Sequence, residues 1–356
     1  MNPRHIAPLL SMLILLLALA AAGLPADAAS GDDVLPPTLA ATGLFADAHS
    51  QALQADVVAF SPQYPLWSDG ADKHRWLRLP PGTTIDARDP DAWVFPVGTQ
   101  LWKSFLHDGR AVETRYIERR ADGRWRYAVY LWNAQGTQAT LAPARGAVLA
   151  VPQAPGGRYD VPGRADCLAC HDSAAVPVLG FTALQLSADR DPLAPHADPG
   201  GPVDLRSLVA RGLLRGLPER LLRQAPRIAA DTPVERAALG YLHGNCGHCH
   251  NDDGSPPPVG LRLAQSAADA QGARQRVLAS TLGAVGRFRP AGGLDTPVVA
   301  PGRPEHSLLA LRLRSRQPAT QMPPLGSRAA DTEGIALVER WITNAVHPDS
   351  STASIR

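Results

Sequence analysis

The chain has 356 residues, of which 45% are hydrophobic and 19% charged, with a formal net charge of +2. This is the composition of a folded protein, long enough for two or three domains, and it argues against intrinsic disorder. The near-neutral balance gives no basis for nucleic acid or an anionic membrane as a partner.

The first predicted element is a leader. Arg4 precedes an apolar run from Leu9 to Ala22, which is too short for a comfortable membrane span. Ala26-Asp27-Ala28 fits an A-x-A cleavage site before Ala29. Residues 1–28 are therefore expected to be a signal peptide. Its removal leaves an exported, periplasmic and soluble chain with no stable membrane span; an uncleaved N-terminal anchor is the alternative.

Residues 29–155 read as a Trp-rich, mostly antiparallel β domain, holding six of the seven tryptophans, Trp67 to Trp132. "AVETRYIERRADGRWRYAVYLWN" alternates residue types on both sides of Ala121-Asp122-Gly123, a hairpin signal. "AWVFPVGTQLWKSFL" reads as further strands, and the aromatics as sheet core. Asp69, Asp72, Lys73 and His74 in "LWSDGADKHRW" read as an exposed turn between strands, with a polar site as the other possibility.

Residues 156–230 are expected to hold a first cofactor-binding segment and a helical connector. The Pro/Gly-rich "VPQAPGGRYDVPGRA" (151–165) reads as a linker running straight into "CLACH", which leaves that motif in a loop. "VDLRSLVARGLLRGLPERLLRQAP" is apolar at helical spacing, and its arginines suit a solvated face.

Residues 231–348 carry the clearest helices. Thr232, Pro233 and Glu235 predict an N-cap, a first-turn proline and a capping box, for a helix that leads into Cys246. "PEHSLLALRLRSR" and "DTEGIALVERWITNAV" predict two more, the last with Ile335, Val338, Trp341 and Ile342 inward. The expected fold class is α+β and multidomain, with the β domain followed by a mainly α region.

All four cysteines fall in two C-x-x-C-H units: Cys167, Cys170, His171 and Cys246, Cys249, His250. A disulfide framework suits small secreted domains, and this chain is neither small nor cysteine-dense. A zinc ribbon places its cysteine pairs about 15–20 residues apart; Cys170 and Cys246 are far more distant in sequence. A dithiol oxidoreductase needs one C-x-x-C at a helix start, not two pairs. Covalent haem c uses every residue: the cysteines bond the porphyrin vinyl groups and the histidine ligates the iron. Two covalently attached haem c groups are therefore expected.

After the leader the chain holds one methionine, Met322, in the Pro-rich "QMPPLG". A rigid polar loop suits an axial ligand better than a core residue, so His250 and Met322 are expected to clamp the second iron and raise its potential. The first iron has no methionine left. Its sixth position falls to a histidine (His49, His74, His107, His196, His243 or His306), to another donor, to water, or to none.

Residues 231–348, with "CGHCH", "QMPP" and a closing helix bearing Trp341, resemble a class I cytochrome c domain. The wider sequence resembles exported bacterial dihaem c-type cytochromes, through "YPLWSDGADKHRWLRLP", "WVFPVGTQLWKSF", "CLACH", "LGFTALQL" and "YLHGNCGHCH". The resemblance implies haem binding and electron transfer with a redox partner protein, and it supplies no substrate for the β domain. No nucleophile triad, P-loop or dinucleotide fingerprint appears, so an electron-transfer protein is expected. The alternative is a dihaem oxidoreductase of the peroxidase kind, with the methionine-free haem as the reactive site; a binding role for the β domain is a third reading.

Overall fold

A computed structural model describes residues 34–198, 200–252, 260–289 and 295–346. The expected leader, residues 1–28, lies outside the described residues. Strands β1 (Phe45–Asp47) and β2 (Ala52–Leu53) pair with each other. The main sheet begins with β3 (Val58–Ala59) and β4 (Asp72–Arg78), passes over the short β5 (Ile85–Asp86), and continues with β6 (Gln100–His107), β7 (Arg110–Arg119), β8 (Trp125–Trp132) and β9 (Ala139–Leu141). These six strands are antiparallel, in the order β3-β4-β6-β7-β8-β9. Strands β10 (Ala147–Ala150) and β11 (Arg158–Val161) form a separate antiparallel pair, and β12 (Leu214–Arg215) runs parallel to β5.

The predicted hairpin is β7–β8, turned through Gly123 at φ +80°, a backbone angle that a side chain would strain. Pleating sends successive register rows to opposite faces of the sheet. One row is Trp76, Trp102, Tyr116 and Ala128, with Trp102 and Tyr116 buried as expected of sheet core. The next row, on the other face, is Arg75, Lys103, Arg115 and Val129.

The helix Pro233–Asn245 is capped by Thr232, whose hydroxyl accepts from the Glu235 amide at 3.1 Å. Glu235 itself accepts from the Asp231 amide at 3.0 Å and not from Thr232, so the expected capping box is displaced by one residue. The helix Thr332–Asn344 buries Ile335, Val338, Trp341 and Ile342 as predicted. It crosses the first helix closely because Gly334 faces the Tyr241 ring, where a Cβ would overlap it. On another side of the same helix, Tyr64 fills the space that a Cβ at Gly240 would take.

Three expectations change. The 151–165 segment is ordered by β11, and the first C-x-x-C-H lies in the helix Arg164–His171 instead of a loop, because the Asp166 carboxylate caps the Gly163 amide at 2.8 Å. The arginine-dotted connector is not one helix; it is split into Leu205–Ala210 and Arg220–Arg223 around β12, with Gly212 and Gly216 at positive φ. Its arginines are exposed, as expected of a solvated face. Asp72, Lys73 and His74 belong to β4 and not to a turn.

From Pro37 onward the chain is one compact unit. A single apolar cluster joins Val58 and Phe95 to Phe181, Leu242 and Trp341. Among the described residues, no helix is long and apolar enough to cross a membrane.

Candidate functional site

The first motif sits on the charged face of the sheet. In the helix Arg164–His171, Cys167 and Cys170 stand almost one turn apart and share a side. The His171 ring packs on Tyr127 of β8, with centroids 5.0 Å apart. Its Nδ1 lies 2.5 Å from the Pro177 carbonyl oxygen, which can only accept, so Nδ1 carries the proton. Burial, helped by the nearby Lys103 and Arg115 charges, pushes His171 down to about 4. At neutral pH the ring is therefore uncharged, with a lone pair on Nε2 available to a metal.

The second motif leaves the C-terminal end of Pro233–Asn245 and turns back on itself. The Cys249 and His250 amides both donate to the Cys246 carbonyl, at 3.1 and 2.9 Å. Cys246 lines a cleft with Met322, Trp67, Tyr241, Arg316 and Asp331. The Met322 amide donates to the Arg312 carbonyl at 3.0 Å, which holds the loop against the helix Leu308–Arg314. His250 does not line that cleft; burial, with the His248 and Arg312 charges, lowers its imidazole. Burial alone pushes the Cys246 thiol up to about 12.

The two motifs adjoin, although 75 residues lie between Cys170 and Cys246. Ligand atoms of Cys170, His248 and Cys249 lie within 4.8 Å of one another. Cys249 Sγ is 3.8 Å from the Ala169 carbonyl oxygen, and Asn251 Nδ2 donates to the Ser173 carbonyl at 2.9 Å. The hydrogen bond between the two thiols pushes Cys170 up to about 12, with burial adding to it, and lowers Cys249. Sequence distance is thus no barrier to a shared metal, the ground on which a zinc site reads as unfavourable from spacing alone.

The residues present fit covalent haem in three respects. All four thiols are free and partly exposed, the His171 imidazole has one ring nitrogen hydrogen-bonded and the other open, and Met322 shares a cleft with a motif cysteine. Of the other histidines considered as candidate ligands, His196 is engaged by Asp331, with Nε2 at 2.9 Å from Oδ1, and its ring packs on Trp67. His243 Nδ1 accepts from the Gln265 amide at 3.1 Å. His107 is 6% exposed beside Tyr159, and among the described residues its Nε2 has no hydrogen-bond partner. His49, His74 and His306 are exposed.

Sequence reasoning overlooked several residues that shape this region. Tyr127 and Pro177 hold His171, and His248 enters the sulfur cluster from the variable part of its own motif. Trp67, read as sheet core, belongs to the loop before β4 and lines the Met322 cleft, where its indole nitrogen donates to the Ala329 carbonyl. Asp69 accepts from the Arg328 and Ala329 amides, each at 2.9 Å, and so ties the same loop to the segment after Met322. Only the charged residues alternating in β4 and β7, Lys73-x-Arg75 and Glu113-x-Arg115, gave a readable hint of a polar sheet face. No protein-family model, curated protein or solved structure matches this chain.

Proposed function

We propose that the chain is an exported dihaem c-type cytochrome that exchanges electrons with a redox partner protein. The observation that carries this reading is the meeting of the two C-x-x-C-H units, each with its own histidine and with every cysteine of the chain. A covalently held haem supplies a one-electron iron couple at each unit. Cys167 and Cys170 would hold one group with His171 as its iron ligand; Cys246 and Cys249 would hold the other, with His250 and Met322 as ligands. Adjoining anchors suit a protein that must pass electrons inward and out again.

Expression alongside haem-attachment machinery tests the reading. A mass increase of two haems and two one-electron steps in a redox titration are the expected results; a colourless chain of bare mass ends it. Added peroxide that alters only the methionine-free haem would move the assignment to the peroxidase-like enzyme.

A second reading rests on the cluster itself. Cys170, His248 and Cys249 are soft donors close enough to bind one zinc or copper ion. Haem at both motifs and this ion exclude each other, since both need Cys170 and Cys249. Metal analysis of the purified chain separates them: two irons per chain, or one zinc or copper.

A further inference from the structure

The sheet face under the first motif carries an unbalanced cluster of cations. Arg75, Lys103 and Arg115 are direct cross-strand neighbours on β4, β6 and β7, and Lys73 follows Arg75 on the same face. Neighbours in such a row are about 5 Å apart. The Lys103 ammonium and the Arg115 guanidinium both lie over the Phe105 ring, at 4.8 and 4.1 Å from its centroid. Arg75 is only 8% exposed, and the other three are partly buried.

Acidic groups do not balance them. Glu113 is fully buried and pairs with Arg115 at 2.7 Å, while also accepting from Tyr159. Asp198 is near Arg75 but is held by Ser61, and Asp331, near Lys73, is held by His196. Asp72 is exposed at the start of β4. Among the described residues, Lys73, Arg75 and Lys103 have no carboxylate within ion-pair distance, and the Arg75 guanidinium donates to the Lys73 carbonyl at 3.5 Å. His171 and Cys167 feel the charges of Lys103 and Arg115 respectively, so the cluster and the first motif share one space.

We infer that Lys73, Arg75, Lys103 and Arg115 form a carboxylate-binding site facing the first C-x-x-C-H motif. Like charges gathered out of water favour an anion that neutralises them, and lysine with arginine offers both point charges and a planar fork for carboxylate oxygens. Burial, with the neighbouring Arg75 charge, pushes Lys73 down to about 8 and Lys103 well below its ordinary value; a bound carboxylate reverses both shifts. The carboxylates have two sources: the propionates of a haem on Cys167 and Cys170, in which case the site rests on the dihaem reading, or a free dicarboxylate.

The test uses the full chain, produced with and without haem-attachment machinery, with Lys103→Gln, Lys103→Arg and Lys73→Gln for comparison. Intact mass first counts covalent haem, which tests the dihaem reading alone. With propionates in the site, Lys103→Gln and Lys73→Gln shift only one of the two haems toward the oxidised form, by roughly tenfold (about 59 mV for one electron), and Lys103→Arg restores it. With a free ligand, succinate binds one site by calorimetry, and Lys103→Gln weakens it by roughly tenfold or more while Lys103→Arg does not. If no haem is attached, the succinate measurement alone decides. Unmoved haem potentials together with no succinate binding overturn the site.

Discussion

The two C-x-x-C-H units rest on different foundations. The first lies in a short helix laid across a β-sheet face rich in cations, and its histidine is held by a strand residue and a loop carbonyl. The second grows from the end of a capped, 13-residue helix and looks toward a mostly apolar cleft that it shares with Met322. A helix end supplies the motif's backbone geometry from its own neighbourhood in the chain, while Trp67, Met322 and Asp331 reach its cleft from far away. A sheet face supplies it from strand residues between 44 (Tyr127) and 98 (Lys73) positions before His171. The same five-residue pattern can therefore sit in an electrostatically charged seat and in an apolar one, and the surroundings, more than the motif, set what each group would do.

Several experiments would break or sharpen that contrast. The largest effect is expected from removing one anchor pair. On the proposed dihaem reading, Cys167→Ala with Cys170→Ala should remove one of the two covalent haems and leave the other, and Cys246→Ala with Cys249→Ala should do the reverse, as read by intact mass. Loss of all bound metal from either pair would show a single shared site and abolish the contrast.

Next in size, Gly240→Ala drives a methyl group into the Tyr64 ring. Overpacking of this kind costs about 1–3 kcal/mol, and chemical denaturation should show a loss in that range. Hydrogen exchange should locate the loosening in the helix Pro233–Asn245, with the Arg164–His171 helix spared. Equal loosening of both would mean that the two seats are not independent.

Asp331→Ala should cost about 1 kcal/mol, since Asp331 caps Thr332–Asn344 through the Gly334 amide and also holds His196. Its burial would raise the carboxyl, but the hydrogen bonds from His196 and Gly334 outweigh that and hold it below its ordinary 3.8. A lowered acid binds its proton less readily when folded than when unfolded. The stabilisation is thus fully present above about pH 3.8 and is lost as the pH falls through the lower folded value. Thermal melts of wild type and Asp331→Ala should differ by a constant amount at pH 5–6 and converge on acidification below 3.8; a gap that widens instead contradicts the assignment.

The smallest effect concerns the first seat. Among the described residues the buried Tyr127 hydroxyl has no hydrogen-bond partner, while its ring packs on His171. Tyr127→Phe keeps the ring and removes the orphan group, so stability should be unchanged or higher by up to about 1 kcal/mol. A clear loss in a thermal melt would show that the hydroxyl has a role at His171.

Local chemistry determined a good part of this protein. The Asp-Gly turn, the Thr232 cap with Pro233, and the inward face of Thr332–Asn344 were legible because each depends on residues a few positions apart. The four cysteines and their histidines were legible for the same reason, as was the isolation of Met322. What tertiary structure alone decided involves partners distant in the chain. Packing on β8 laid the first motif on the sheet, whereas the helix around it (Asp166) and the divided connector (Gly212, Gly216) turn on local residues that the sequence already held. Folding also brought Cys170 against Cys249, gave Trp67 and Asp331 to the Met322 cleft, and set Lys73, Arg75, Lys103 and Arg115 together beneath His171. Periodicity shows which face of a strand a residue occupies, but only pairing register and packing show what that face meets.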